Sequence, residues 1–247
     1  MQKKGLFILF ISSLIIPSSF YYVSIRNSEK KNKEKNKYLL YSLIWGIIPS
    51  VLLSFVTNMF FYKKIEKKYS ENISNFLTSV VIAPIFEEIY KILGIILTIS
   101  KIDEIEDGII YGSMIGLGFA ISENIFYSVE YAENLEQKIS LTLVRQITST
   151  IIHITSSGIL GLGISMFKRK KIKLLYYFYK GIIKHAGHNF IASIPELITV
   201  IKPKTDISES MIYKNIFSPI FIIYLIISRI MFFKNHIQLI TKYDKEA

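Results

Sequence analysis

Cysteine is absent from the 247 residues. That excludes disulfides, thiolate metal sites and cysteine nucleophiles. Acidic residues are scarce, 19 against 30 Lys and Arg, which leaves a formal net charge of +11. Such a balance can signal nucleic acid. Here the lysines sit beside hydrophobic blocks, where positive-inside bias and lipid headgroups favour them, so no nucleic-acid partner is expected. Internal repeats, a soluble domain and a separate linker are also missing. The one low-complexity run, RNSEKKNKEKNK at 26–37, reads as a solvated loop.

What is present is apolar length. Hydrophobic residues make up 51% of the chain and mean hydropathy is +0.37. Blocks at 6–25, 38–62, 73–100, 108–130, 140–167, 174–200 and 213–233 are each long enough for a ~30 Å hydrocarbon core at 1.5 Å per residue. The expectation is an all-α, polytopic membrane bundle of about seven transmembrane helices. It forms a single domain over 1–247, with its chemistry in 73–200. The first block resembles a signal peptide, but cleavage would put six basic residues of 26–37 outside the cell, so a retained helix is preferred. Fifteen Lys and Arg on one set of alternate loops, against nine on the other, favour an outside N-terminus and a cytoplasmic C-terminus.

Charges interrupt this pattern. Block 73–100 holds Glu87, Glu88 and Lys91 among fifteen Ile, Leu, Val and Phe. The charges cost about 2.5–3.5 kcal/mol each at a helix centre, and the apolar residues return only about 0.3–0.6 each. Facing lipid, the segment barely breaks even. The three must face an interior, a wet cavity or a metal. Their i, i+3 and i, i+4 spacing lets them share one face. Pro84 just upstream either kinks the helix or starts a new half-helix; in the second case both carboxylates occupy its first turn. A buried Glu–Lys91 bridge accounts for one carboxylate and leaves the other unexplained.

Other blocks carry polar groups at similar depth. Gly112, Gly116 and Gly118 form a small face suited to helix packing. Glu123 and Asn124 follow, then Tyr127. His153 is central in 140–167, with Ser157 and Gly161 continuing its face and Arg145 near one end, paired to a carboxylate or snorkelling. His185 and Asn189 share a face; His188 is turned about 100° from Asn189 and is the alternative imidazole. His236 reads as a solvated tail residue. Ionisable groups from four blocks suggest one buried cluster. Carboxylates with two imidazoles can hold a divalent metal that activates water; without metal, a glutamate can act as base while His and Asn stabilise an oxyanion. Both routes are hydrolytic. Gly-x-Ser-Gly and His-Glu-x-x-His do not occur, and Gly116–Phe119 lacks the Asp of Gly-x-Gly-Asp.

EEIYK (87–91), GFAISENIFY (118–127), HITSSGILG (153–161) and HAGHN (185–189) resemble, in order, the motifs of the PrsW family of intramembrane proteases, which are similar to CAAX prenyl proteases. Ala83-Pro84 and DGIIYG (107–112) also fit, and His188 departs from the pattern. The resemblance implies a multi-pass cell-membrane peptidase acting on a membrane-anchored protein, an anti-sigma factor being the best-known substrate. It implies catalytic or metal-site roles for Glu87, Glu88, Glu123, His153 and His185, and supporting roles for Lys91, Asn124 and Asn189. Zinc is the leading metal, beside a metal-free glutamate route. A proton- or cation-coupled transporter and a non-catalytic scaffold are the rival readings of the same groups.

Overall fold

Two prolines set the local geometry of the first half of the chain. The computed structural model describes residues 2–170, 174–201 and 218–246, and among them the structure is all-helical. Helix α1 (Gln2–Ser28) is followed by α2 (Asn36–Trp45), which passes through a π turn (Gly46–Ser50) into α3 (Val51–Ile65). Helix α4 (Glu71–Leu77) passes through a second π turn (Thr78–Ile82) into α5 (Ala83–Leu97). Pro49 lies inside the first π turn and Pro84 just after the second. Proline lacks the N–H for an i→i−4 bond and its ring crowds that carbonyl, so a local widening of the helix is the natural response.

The half-helix reading of Pro84 is therefore corrected. The residues flanking the π turn, Leu77 and Ala83, keep right-handed helical angles, so no helix start opens at Pro84. Glu87 and Glu88 lie beyond the first turn of α5. What orients them is the packing of their face against other helices.

Helices α6 (Ile105–Glu130) and α8 (Ser149–Lys170) form the buried centre, and α7 (Leu135–Ile147), buried only at Thr142 and Gln146, connects them along the outside. The 140–167 block is thus broken at Thr148 rather than continuous. Helices α9 (Leu174–Ile201) and α10 (Ser218–Glu246) complete the bundle. The α6–α8 contact explains two of the glycines. A Cβ on Gly112 would come within 2.3 Å of Ser157 O, and one on Gly116 within 2.2 Å of His153 O. Only hydrogen fits there, which brings the backbone carrying His153 directly against α6. Gly118 belongs to the opposite side of α6, where its Cβ would meet Leu43 O at 2.1 Å.

Four helical stretches among the described residues are long and apolar enough to cross a membrane: Lys3–Ser28, Asn36–Ile65, Ile105–Glu130 and Leu135–Arg169. The last two are 72% and 89% buried over their most apolar windows, against 28% for the first two, so the last two lie inside the bundle and the first two on its outside. The 73–100 and 174–200 blocks are helical but not among the four, and part of the 213–233 block lies outside the described residues. Helix α1 is bound into the bundle: Tyr21 Oη donates to Gln146 O at 2.9 Å, and Gln146 Nε2 donates to Leu14 O at 3.2 Å.

One end of the bundle collects the loop 26–37, the turn before α6, and the ends of α8 and α10. Lys30 and Lys31 backbone N–H groups donate to Asp244 Oδ1, each at 3.0 Å. Asn32 donates to Glu104 at 2.9 Å, and Lys168 to Ile102 O at 2.6 Å. His236 is not solvated. It is 5% exposed, with Nε2 2.7 Å from Ser113 Oγ, in a notch that a side chain on Gly158 would fill. The Lys-bearing C-terminus looked like a tail in sequence; it is the last stretch of α10, packed on α6 and α8.

Candidate active site

Helix α5 brings Glu87, Glu88 and Lys91 inward together, all buried. Both Glu88 oxygens are engaged. Oε1 accepts from Lys91 Nζ at 2.9 Å, from Ser156 Oγ at 3.1 Å, and meets His185 Nδ1 at 2.9 Å. Oε2 accepts from Ser157 Oγ at 3.1 Å. A carboxylate at 0% exposure is tolerable only when paired and hydrogen-bonded in this way. Since a carboxylate can only accept, His185 donates through Nδ1, and in the neutral ring Nε2 then keeps its lone pair.

Lys91 Nζ also lies 2.9 Å from His153 Nδ1 and 4.1 Å above the Phe119 ring. With Lys91 donating to Nδ1, the neutral His153 ring carries its proton on Nε2. That nitrogen donates to Glu123 Oε2 at 2.8 Å. Arg145 Nη2 donates to the same oxygen at 2.5 Å and Arg145 Nε to Asn124 Oδ1 at 2.9 Å, while its guanidinium stacks 3.7 Å from the Tyr127 ring centre. Asn124 Nδ2 in turn donates to Thr150 Oγ1 at 2.9 Å. A continuous polar chain thus runs from Ser157 through Glu88, Lys91, His153 and Glu123 to Arg145, across α5, α6, α7 and α8.

Glu87 is placed differently. It is 5% exposed, and its Oε2 has no hydrogen-bond partner, standing 3.8 Å from His185 Nε2. Ligand atoms of Glu87, His153 and His185 lie within 4.8 Å of one another. The rings of His153 and His185 are 4.7 Å apart, edge to face. This donor set fits a divalent ion. It offers His185 Nε2, a carboxylate oxygen that is otherwise an orphan, and a His153 nitrogen that must first give up a hydrogen bond to Lys91 or Glu123; the Glu88–His185 contact is the outer carboxylate that metal-bound histidines normally have.

The structure therefore draws Glu87, Glu88, Lys91, Glu123, Asn124, His153 and His185 into one connected centre. Asn189 stands apart from it: Nδ2 donates to Ser79 O at 2.8 Å, tying α9 to the second π turn. His188 is 7% exposed and does not join the Glu87–His153–His185 group. Ser149, Ser156 and Asn58 are the participants that sequence reasoning missed. Ser149 Oγ donates to Glu123 at 3.2 Å, and the Asn58 side chain of α3 lies beside the Glu87 carboxyl. The serines had a signal, their i−4 and i+3 spacing from His153. Asn58 had only its solitary amide in an apolar block.

A multi-pass membrane protein with a glutamate–histidine centre sunk among its helices is the class that this fold and site define. The sequence profile of the PrsW family of intramembrane metalloproteases matches residues 34–225, and the chain belongs to that family. It is 29% identical over 202 residues to Protease PrsW of Clostridioides difficile (strain 630), covering 78% of this chain and 81% of that protein. No solved structure matches. Family membership makes the chain a membrane peptidase and does not favour the transporter reading.

Proposed function

We propose that this protein hydrolyses a peptide bond of a membrane-anchored protein, within or next to the bilayer, using Glu87, His153 and His185 to hold a divalent ion, with zinc the first choice. The observation that carries this is the unpartnered, buried Glu87 oxygen beside the free Nε2 of His185. Such an ion would lower the pKa of a bound water toward about 7. The remaining roles belong to the chain. Glu88 fixes the tautomer and orientation of His185 and is itself fixed by Lys91. Both its oxygens are already engaged, so the base is another carboxylate. Glu123 is the candidate: its side chain is 20% exposed, and it already accepts the proton of His153 Nε2. To bind as a neutral imidazole, His153 would need its proton on Nδ1: Lys91 is placed to give that nitrogen a proton as Glu123 takes the one on Nε2. Arg145 holds Glu123 toward the site, and Asn124 holds Arg145.

The same contacts support a metal-free variant, in which His153 Nε2–H is a fixed donor and Glu87 the base. A bundle of about seven crossings in one domain, N-terminus outside, suits either route. An anti-sigma factor is one substrate of the right kind, a single-span anchored protein.

The test is cleavage of quenched-fluorescent single-span peptides by the purified protein in liposomes. Wild type should cut at least one member of a broad panel. His185→Ala and Glu87→Gln should lose activity by about 10²-fold or more while still inserting and folding. Wild-type turnover in both variants would end the proposal.

A further inference from the structure

Helix α3 contributes one polar residue to the intramembrane centre that the hydrolytic scheme leaves without work. Asn58 is half-buried, its side chain lies beside the Glu87 carboxyl, and its Oδ1 is enclosed without any hydrogen-bond partner. The neighbouring carboxylate can only accept, so it offers the amide oxygen no donor, and Oδ1 stands open as an acceptor. The residue is firmly carried. Its neighbour Thr57 shares a 2.6 Å hydrogen bond with Tyr90 Oη of α5, and Phe61 stacks on Phe86 at 5.1 Å. These contacts fix the Asn58 turn of α3 over the Glu87 turn of α5.

A buried carbonyl oxygen with nothing donating to it is costly where bulk water is excluded. A substrate has the matching problem. A transmembrane helix hides its carbonyls from attack, so the stretch to be cut must unwind, and each unwound residue then presents an unpaired N–H in a low-dielectric place. An acceptor beside the reacting centre answers both needs.

We infer that Asn58 is a substrate-positioning residue whose Oδ1 accepts a backbone N–H of the unwound substrate next to the scissile bond. This rests on the proteolytic reading above. Recognition is then of backbone and needs no particular side chain at that position, and the bound segment lies extended across α3 and α5.

The test uses a synthetic single-span peptide that wild type cleaves. Each amide flanking the cut is replaced in turn by an ester, which removes one N–H at a time. In wild type, one ester should lower kcat/KM about ten- to a hundredfold relative to its amide parent. In Asn58→Ala the parent should be cut more slowly by a similar factor, and that ester should bring no further loss. Because the ester-to-amide ratio is taken within one variant, a general loss of activity cancels; Asn58→Ser serves if the Ala variant is too slow to measure. A full ester penalty in Asn58→Ala overturns the inference and leaves the protease reading intact. Asn58 would then act only on Glu87. A wild type that cleaves no peptide removes both.

Discussion

Two acid-rich regions of this molecule handle buried carboxylates in opposite ways. In the intramembrane centre Glu88 and Glu123 each have a cation within 2.9 Å, Lys91 and Arg145. At the lysine-rich end Glu29, Glu34, Asp103, Glu104, Glu106, Asp107 and Asp244 make no ion pair within 4.0 Å among the described residues. Both oxygens of Glu106 and Oε1 of Glu29 are buried without hydrogen-bond partners. Tyr111 donates to Glu34, and the Glu34 backbone N–H to Glu29 Oε2 at 2.8 Å. Depth accounts for the contrast. Amid hydrocarbon an unpaired charge is expelled or neutralised, so charges kept there come with partners. At the end of the bundle a carboxyl can take a proton from nearby water. Burial pushes Glu29 up to about 8, opposed by the Glu34 N–H and reinforced by Asp107, Glu34 and Glu106. The first region pairs its carboxylates with cations; the second is a clasp in which burial pushes Glu29 toward its protonated form.

Breaking the first arrangement should have the larger effect. Lys91→Ala leaves Glu88 buried and loses a contact to His153, so it should cost about 3–5 kcal/mol of stability and abolish cleavage. The double variant Glu88→Leu with Lys91→Met removes both charges and should be more stable than Lys91→Ala, though inactive. Thermal unfolding in detergent orders the three proteins. If Lys91→Ala melts like wild type, the pair is not what holds this centre together.

The second arrangement should answer to pH with a smaller effect. The folded value for Glu29 lies above its ordinary value of 4.5. Its contribution to stability is therefore complete below pH about 4.5 and disappears as pH rises through about 8. Glu29→Gln should flatten this dependence. The Tm difference between Glu29→Gln and wild type should grow from pH 5 to pH 9, with the variant the more stable at high pH. A constant difference would mean that Glu29 is not protonated in the clasp.

The contrast also shows what a sequence reader can see. Cost makes residues legible: Glu87, Glu88, Lys91, Glu123, His153 and His185 stand out because each is expensive in an apolar block. The all-helical class followed from the same blocks. Division of labour between Glu87 and Glu88 was not legible, because adjacent carboxylates differ only in what faces them from α8 and α9. The π turns were invisible, since a proline predicts disruption but not its form. His236 misled because a basic terminal segment looks solvated until α6 and α8 are seen to receive it. Asn58 passed unnoticed because an amide costs less than a charge and the carboxylate beside it lies 29 positions away in sequence.

The central claim is that Glu87, His153 and His185 hold an ion in this buried centre. Metal analysis of protein purified without chelator, combined with zinc X-ray absorption, tests it most directly. The account predicts about one zinc per chain, a nitrogen and oxygen shell containing two imidazoles, and loss of that zinc in His185→Ala. Protein that carries no zinc, gains none on incubation, and cleaves its peptide unchanged in chelator would contradict it.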